Sequence, residues 1–504
     1  MASYSKTIGS IYVFNLLLGA IVLALPKMFS DAGIALGTVL LTLLCFLGYT
    51  TTCYIIEAAA ATSAYQKIQD EKVQIKKLKE VVSDNKTTET STSSVDENKE
   101  KPSPAITCKA EDYEIPKKFE YSMIAKLFFP VPGVILQYIF ICLALYGDLA
   151  FVNVFIATSL SHMTCLIHNH YFIIDDLNNE SWFDINDTLN FTDKALDGCF
   201  LDFTKANLYY VYVAIFTLIV GPLVFFNVSS SKFLQVLTVL ARLLSFALMI
   251  SLSILRFVEG HVYMPKLANV KSLPVLYGSI IYTYKIQDYI PGLVAPMSSK
   301  RGIYRNIFID FVGALFVQLA MIYVTLFAFP GDEIEVLNIL TFFKPEASGS
   351  FDWRLAIGSV LVLLPILTLC SAFPVGAIIL RKNIKAATLF TIKGITKKDV
   401  KIPVVVDRLL FPLLAIVPPL IISYVSQDIE LIGSITGAFP GIFIQCVMPA
   451  AFVIAARYKI KKALGTYDNP YKAPLSNMVF VVVVLGWSVI SVVMMSINLA
   501  LNPT

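Results

Sequence analysis

Charge is what this chain of 504 residues has least of: 15% of its residues are charged, against 56% hydrophobic. Soluble domains carry about 25% charged residues, so the composition excludes an ordinary soluble enzyme or binding module. Histidine and tryptophan are scarce too, at four and three residues. Three of the histidines crowd into HMTCLIHNH at 162–170, which reads as an incidental loop cluster rather than a ligand framework, and no metal is expected. No Gly-rich phosphate loop and no nucleophile–base arrangement occurs in any polar segment. The expectation is therefore no enzyme, no cofactor and no nucleic-acid partner.

What the chain has instead is a series of apolar blocks, each about twenty residues long, enough to cross a hydrocarbon core of about 30 Å. They lie near 8–29, 33–60, 132–160, 207–226, 233–255, 273–296, 306–329, 355–380, 404–425, 430–456 and 477–499. This predicts an all-α membrane protein with about eleven transmembrane helices, and the lipid bilayer as its first partner. The first block is too long for a signal-peptide core and lacks a small-x-small cleavage site, so it is expected to stay as helix 1. Helices 1–2 then occupy 1–60 and helix 3 occupies 127–160. Helices 4–11 occupy 207–504, with polar segments at 61–126 and 161–206.

Lysine and arginine orient these spans. With the N-terminus in the cytosol, most basic residues fall in inner segments, above all the lysine-rich 61–126. Outer segments keep only scattered ones, such as Lys27, Lys194 and Arg354. The C-terminus is then lumenal or extracellular, and either an endolysosomal or a plasma membrane fits. Segment 161–206 falls outside. It carries glycosylation sequons at Asn179, Asn186 and Asn190, and two cysteines, Cys165 and Cys199, expected to pair in an oxidising compartment. Segment 61–126 begins as AYQKIQDEKVQIKKLKE, an extension of helix 2. It then becomes SDNKTTETSTSSVDENKEKPSP, too poor in apolar residues to fold, and reads as a disordered tether.

Two spans are interrupted. The first reads NLLLGAIVLALPKM, with Asn15, Gly19 and Pro26 inside a leucine-rich run. The sixth reads YGSIIYTYKIQDYIPGLVAP, with Gly278, Pro291 and Gly292 around a polar centre. Irregular backbone at membrane depth is tolerated only where it is buried in protein or lines a cavity. Interruptions at matching positions of two halves point to a secondary-transporter site. The residues at these breaks form the candidate substrate- and ion-binding set: Asn15, Gly19, Ala20, Tyr284, Lys285, Gln287 and Asp288, with Asp148 from span three. Lys285 needs a partner, because a lysine at the bilayer centre costs about 2.5–3.5 kcal/mol on insertion scales. Asp288, three residues on, and Asp148 are both candidates. Arg242 in span five reads as a structural charge paired across the bundle. Thr368 and Ser371 offer hydroxyls that suit sodium.

The chain resembles the amino acid/auxin permease family, within the amino acid–polyamine–organocation superfamily. The pieces that carry the likeness are YVFNLLLGA and LPKMFSDAG (12–33), LYGDLA (145–150), IFTLIVGP (215–222), APMSSKR (295–301), VVVDRLLFP (404–412) and GSITGAFPG (433–441). The resemblance implies ten spans in two five-helix inverted repeats with helices 1 and 6 broken, plus one extra helix. It also implies movement of amino acids or similar small zwitterions by alternating access. One position departs: where the family usually places a second glycine in span one, this chain has Ile21. The expected partner is a small solute together with H⁺ rather than Na⁺. Two other readings stay open, an amino-acid sensor signalling through 61–126 and a non-transporting structural subunit.

Treatment with an N-glycanase is expected to shift the mass of the expressed protein, and replacing Asn179, Asn186 and Asn190 together to abolish the shift. A tag at Thr504 is expected to be reachable only from the non-cytosolic side.

Overall fold

Backbone that enters a bilayer must satisfy its own hydrogen bonds, and this chain does so as helix. The computed structural model describes residues 4–86, 109–115, 120–179, 199, 203–225, 232–342, 353–397 and 402–501. Among them there is no β-strand, only an isolated bridge between Tyr4 and Met297. Among the described residues nine helices are long and apolar enough to cross a membrane, or ten if a bent pair counts as one span. That pair comprises α1 (Lys6–Leu17) and α2 (Leu25–Ala32), joined through a 3₁₀ turn at Ala20–Ala24 and bent by 42°.

The chain continues through α3 (Ile34–Lys86), α4 (Tyr121–Phe128), α5 (Val131–Asn179), α6 (Lys205–Val220) and α7 (Lys232–Val258). The stretch expected as the sixth span is split into α8 (Leu273–Tyr284) and α9 (Ile290–Val294). Neither piece is long enough to cross alone, and this is where the count by length falls short of eleven. Then follow α10 (Ile303–Ala328), α11 (Trp353–Thr396) and α12 (Phe411–Val425). The next span starts as α13 (Ile429–Thr436), passes two π-helical turns at Gly437–Gly441 and Phe443–Val447, and ends as α14 (Met448–Leu464). The last helix is α15 (Met478–Leu501). Pro440, which lacks an N–H to donate, sits in the first π turn.

Large apolar side chains cover the outer surface: Leu218 is 75% exposed, Phe316 74% and Val489 65%. A soluble protein rarely presents such a belt to water; here it faces lipid. The chain is an integral, multi-pass membrane protein.

Three helices run well past their expected spans: α11, expected to end near 380, continues to Thr396, and α5 and α3 do the same. α5 continues past 160 to Asn179, because no proline or glycine interrupts the sequence between Gly147 and Gly198. Its extension carries Cys165, disulfide-bonded to Cys199 with the Cα atoms 4.9 Å apart and packed on Leu208. Asn179 is the last residue of α5, while Asn186 and Asn190 lie outside the described residues. α3 likewise runs on to Lys86, as its charged continuation predicts. Residues 109–115 fold back on it: Tyr113 and Ile115 are buried, and Lys67 bonds Asp112 at 2.7 Å. The Lys67 ammonium holds the Asp112 carboxyl below the usual carboxylate range. Residues 87–108 and 116–119 of this segment lie outside the described residues.

α8 crosses α13 and the first π turn at backbone distance. A Cβ on Gly437 would collide with the Gly278 carbonyl, and one on Gly278 with the Ser434 carbonyl. Small residues let two membrane helices approach to backbone contact, where dispersion holds them. Gly437→Ala is therefore expected to cost about 1–3 kcal/mol of stability by overpacking. Melting of the purified protein checks this, with Gly486→Ala unchanged, since a Cβ there meets nothing within 4 Å.

Candidate functional site: two helix breaks and a buried ion pair

A helix that stops inside a membrane leaves its last carbonyls without intrahelical donors. α1 stops at Leu17, and two side chains from other helices take over. Arg242 of α7 donates through Nη1 to the Asn15 carbonyl at 2.7 Å and to Asn15 Oδ1 at 2.8 Å. Gln318 of α10 donates through Nε2 to the Leu17 carbonyl at 2.9 Å. The guanidinium thus sits at the negative end of the α1 dipole, where a cation is favoured. Arg242 does pair across the bundle, but with a helix end rather than with a carboxylate.

The second break is tied to the first through the same glutamine. Tyr284, the last residue of α8, donates its hydroxyl to Gln318 Oε1 at 2.7 Å. Leu17, Gln318 and Tyr284 therefore form one hydrogen-bonded chain linking the two interruptions. Gln287 holds the unwound stretch from the other side. Its Nε2 donates to the Gly48 carbonyl at 3.2 Å and the Thr51 hydroxyl at 3.1 Å, while its Oε1 accepts from the Ile286 amide. Gln287 is fully buried. Sequence reasoning places Gln287 and Tyr284 in the binding set; in this conformation both spend their polar atoms fastening the α8–α9 break.

Lys285 occupies the break itself and chooses Asp148 over Asp288. Its ammonium meets the two Asp148 oxygens at 2.8 and 3.0 Å and lies over the Tyr282 ring at 5.0 Å. The lysine side chain is 3% exposed and the aspartate 22%, so the pair opens on its Asp148 side. Asp288 loses because α8 has unwound: beyond Tyr284 the helical i, i+3 spacing that would bring it beside Lys285 no longer holds. Asp288 Oδ1 is buried with no hydrogen-bond partner.

Gly19 and Ala20 line a small cavity beside Arg242, with α11 forming the opposite wall. Ile21 does not fill it. The Ile21 side chain turns to α13, where a Cβ on Gly433 would lie 2.7 Å from Ile21 Cδ1. The departure in span one is matched by a glycine in span ten. Thr368 and Ser371 donate their hydroxyls to α11 carbonyls, Pro365 at 2.8 Å and Thr368 at 2.7 Å.

Sequence reasoning missed Gln318, and it missed a second buried ion pair. Glu57 of α3 is fully buried and receives Arg457 Nε and Nη2 at 2.7 and 2.8 Å. Tyr467, Asn469 and the Ala473 amide complete the cluster around it. Burial, and then the Glu57 carboxylate, push the Tyr467 phenol above its usual value, so it stays a donor. The signal was there: Glu57 is the first charged residue after Asp31 and still falls within the second apolar block, 33–60.

No family model matches the chain. Full-length relatives do. A protein named Transmembrane protein 104 from Homo sapiens is 33% identical, over 99% of this chain and 97% of its own length. A Transmembrane protein 104 homolog from Drosophila melanogaster is 32% identical over the same shares. One from Dictyostelium discoideum is 27% identical over 98% of this chain and 96% of its own.

Breaking a buried ion pair by removing one partner costs about 3–5 kcal/mol, because the other charge is stranded. Glu57→Gln is expected to lower melting and folded yield on that scale, and Glu57→Gln with Arg457→Met to recover most of the loss. Size-exclusion profiles and melting curves of the three proteins check it.

Proposed function

The chain belongs to the transmembrane protein 104 family, and from its two broken helices we propose that it is a secondary transporter of amino acids or similar small zwitterions. In this reading it shares the fold of the amino acid/auxin permeases, with five-plus-five inverted repeats and an extra helix. The N-terminus is cytosolic and the C-terminus lumenal or extracellular. The observation that carries the proposal is the meeting of the two interruptions: α8 packs on the 3₁₀ turn and on α2, and α1 packs on α9. Unwound segments of two helices facing each other at membrane depth, with a buried charge pair in one of them, are what alternating access around a central site requires.

Coupling to H⁺ follows from Lys285 and Asp148. While the carboxylate is ionised the pair is neutral as a whole and the break is locked. A proton reaching Asp148 through its more open side removes that attraction and frees the ammonium, so α8 and α9 can reorient. Loss of the proton on the other side rebuilds the pair. Sodium has less to hold it, because a guanidinium already meets the carbonyl end of α1. The rival reading is a fixed strut, favoured by how completely the pair is made, with both Asp148 oxygens in reach of one ammonium.

Lys285→Met separates the two. The variant is expected to insert and fold, since the charge it removes is the enclosed one, while the Asp148 left behind lies on the open side of the pair. In proteoliposomes it is expected to lose solute uptake driven by a pH gradient while keeping exchange at equal pH. Asp148→Asn alone strands the ammonium and is expected to lower folded yield, and adding Lys285→Met to restore the yield without the coupling. Full pH-driven uptake by Lys285→Met sinks proton coupling through this pair.

A further inference from the structure

A second small cavity lies between α1 and α10 and shares no residue with the one beside Arg242. Lys6 and Ser10, four residues apart, present one face of α1 to it. Asn306 and Asp310, also four apart, present one face of α10, and Ser299 joins them from the loop before that helix. Asp310 is the unusual member. It is 8% exposed on a membrane helix, and its Oδ2 is buried with no hydrogen-bond partner. The Ser10 hydroxyl faces the same carboxyl. Among the described residues no cation is paired with it: Lys6, which lines the same cavity, donates to the Arg301 carbonyl instead.

An ionised carboxylate at that burial is costly unless a charge answers it. Glu57 and Asp148 each have one, and Asp310 has a cavity in its place. A proton does not complete the site, because a neutral acid would still leave Oδ2 unbonded. The lining selects what does. Asp310, Ser10, Ser299 and Asn306 offer oxygens, which suit a hard cation. Among the described residues no group of three or more His, Cys, Asp or Glu side chains could hold a transition metal. One carboxylate balances one positive charge, and Lys6 on the same wall counts against a second. That leaves an alkali ion. The cavity has room for about one water-sized group. K⁺ is close to that size, whereas Na⁺ is smaller and draws its oxygens nearer.

We propose that the cavity between α1 and α10 is a K⁺ site, with Asp310 as its charged ligand and Ser10, Ser299 and Asn306 supplying neutral oxygens. The ion ties the start of helix 1 to α10. That start is already fastened to the loop before α10: the Tyr4 amide donates to the Pro296 carbonyl at 3.2 Å, and the Ser298 amide to the Tyr4 carbonyl at 2.9 Å. With the N-terminus in the cytosol, the cavity lies toward the K⁺-rich side of the membrane. The site itself depends on neither that orientation nor transport.

The test uses the full chain in lipid nanodiscs, with N-methyl-D-glucamine chloride replaced stepwise by KCl or NaCl at constant ionic strength. KCl is expected to raise the melting temperature of the wild-type protein saturably, and NaCl to do so only at higher concentration. Asp310→Asn should still fold, since it removes the buried charge, and should lose the K⁺ shift. Lys6→Gln takes a like charge off the cavity wall and should tighten K⁺ roughly 2–10-fold. No saturable K⁺ shift in the wild type, or a K⁺ shift that survives Asp310→Asn, overturns the proposal. Tighter binding of Na⁺ than of K⁺ overturns the choice of ion. Loss of the K⁺ shift in Lys6→Gln makes Lys6 the counter-ion and removes the site. Stabilisation by acid alone, without dependence on K⁺, makes Asp310 a protonated acid and removes it too. The wild-type series needs no variant to fold. Solute uptake is not part of the readout, so this site and the transporter reading stand or fall separately.

Discussion

Everything at the centre of this protein depends on one constraint: a helix that ends inside a bilayer has no water to take its last carbonyls. α1 ends at Leu17, where side chains from other helices take its last carbonyls, and α8 ends at Tyr284, where side-chain hydrogen bonds fasten the unwound stretch to its neighbours. Arg242 and Gln318 serve the first, and Gln318 and Gln287 fasten the second. These three residues come from three separate elements, so the breaks hold only while α7, α10 and the α8–α9 stretch stay in register. The interruptions are therefore load points of the whole bundle, not local defects.

Charge follows the same logic. Three buried charges in the described helices are answered by another element: Lys285 by Asp148, Glu57 by Arg457, Arg242 by a helix end. The first two differ in kind. Glu57 is enclosed by Arg457, a phenol, an amide side chain and a backbone N–H, and its surroundings bind the 465–477 loop to α3. A carboxylate with that many donors is a fixed joint. Asp148 is partly open and meets mainly one ammonium, seated in unwound backbone. A joint of that kind is the one that can be released.

The glycines decide how near the halves come. Gly278 and Gly437 let α8 and the π turn after α13 meet at backbone distance, and Gly433 receives Ile21. The substitution in span one is thus not a plug in the cavity. Its side chain was accommodated on the far face of the turn, leaving Gly19 and Ala20 beside Arg242. Aromatic packing supports the same seam, with Tyr284 stacked on Phe311 at 6.0 Å.

By itself the sequence determined the membrane class, most of the spans, the two interruptions and the lysine in the second. Hydrophobic length, glycine, proline and a stray charge are local signals, readable without neighbours. It also named Asp148 and Asp288 as candidate partners for Lys285, since both are carboxylates inside apolar blocks. Which one pairs was not local: Asp288 is adjacent in sequence only while the segment is helical, and the unwinding at Lys285 is set by Gln287 gripping α3. Gln318 was invisible for the same reason, since a single glutamine in an apolar helix carries no spacing that says which distant carbonyl it will cap. Arg242 at the end of α1, Ile21 on Gly433 and Glu57 under its loop are likewise contacts between elements far apart in the chain. Their partners are chosen by the packing of whole helices, and that choice belongs to the tertiary structure alone.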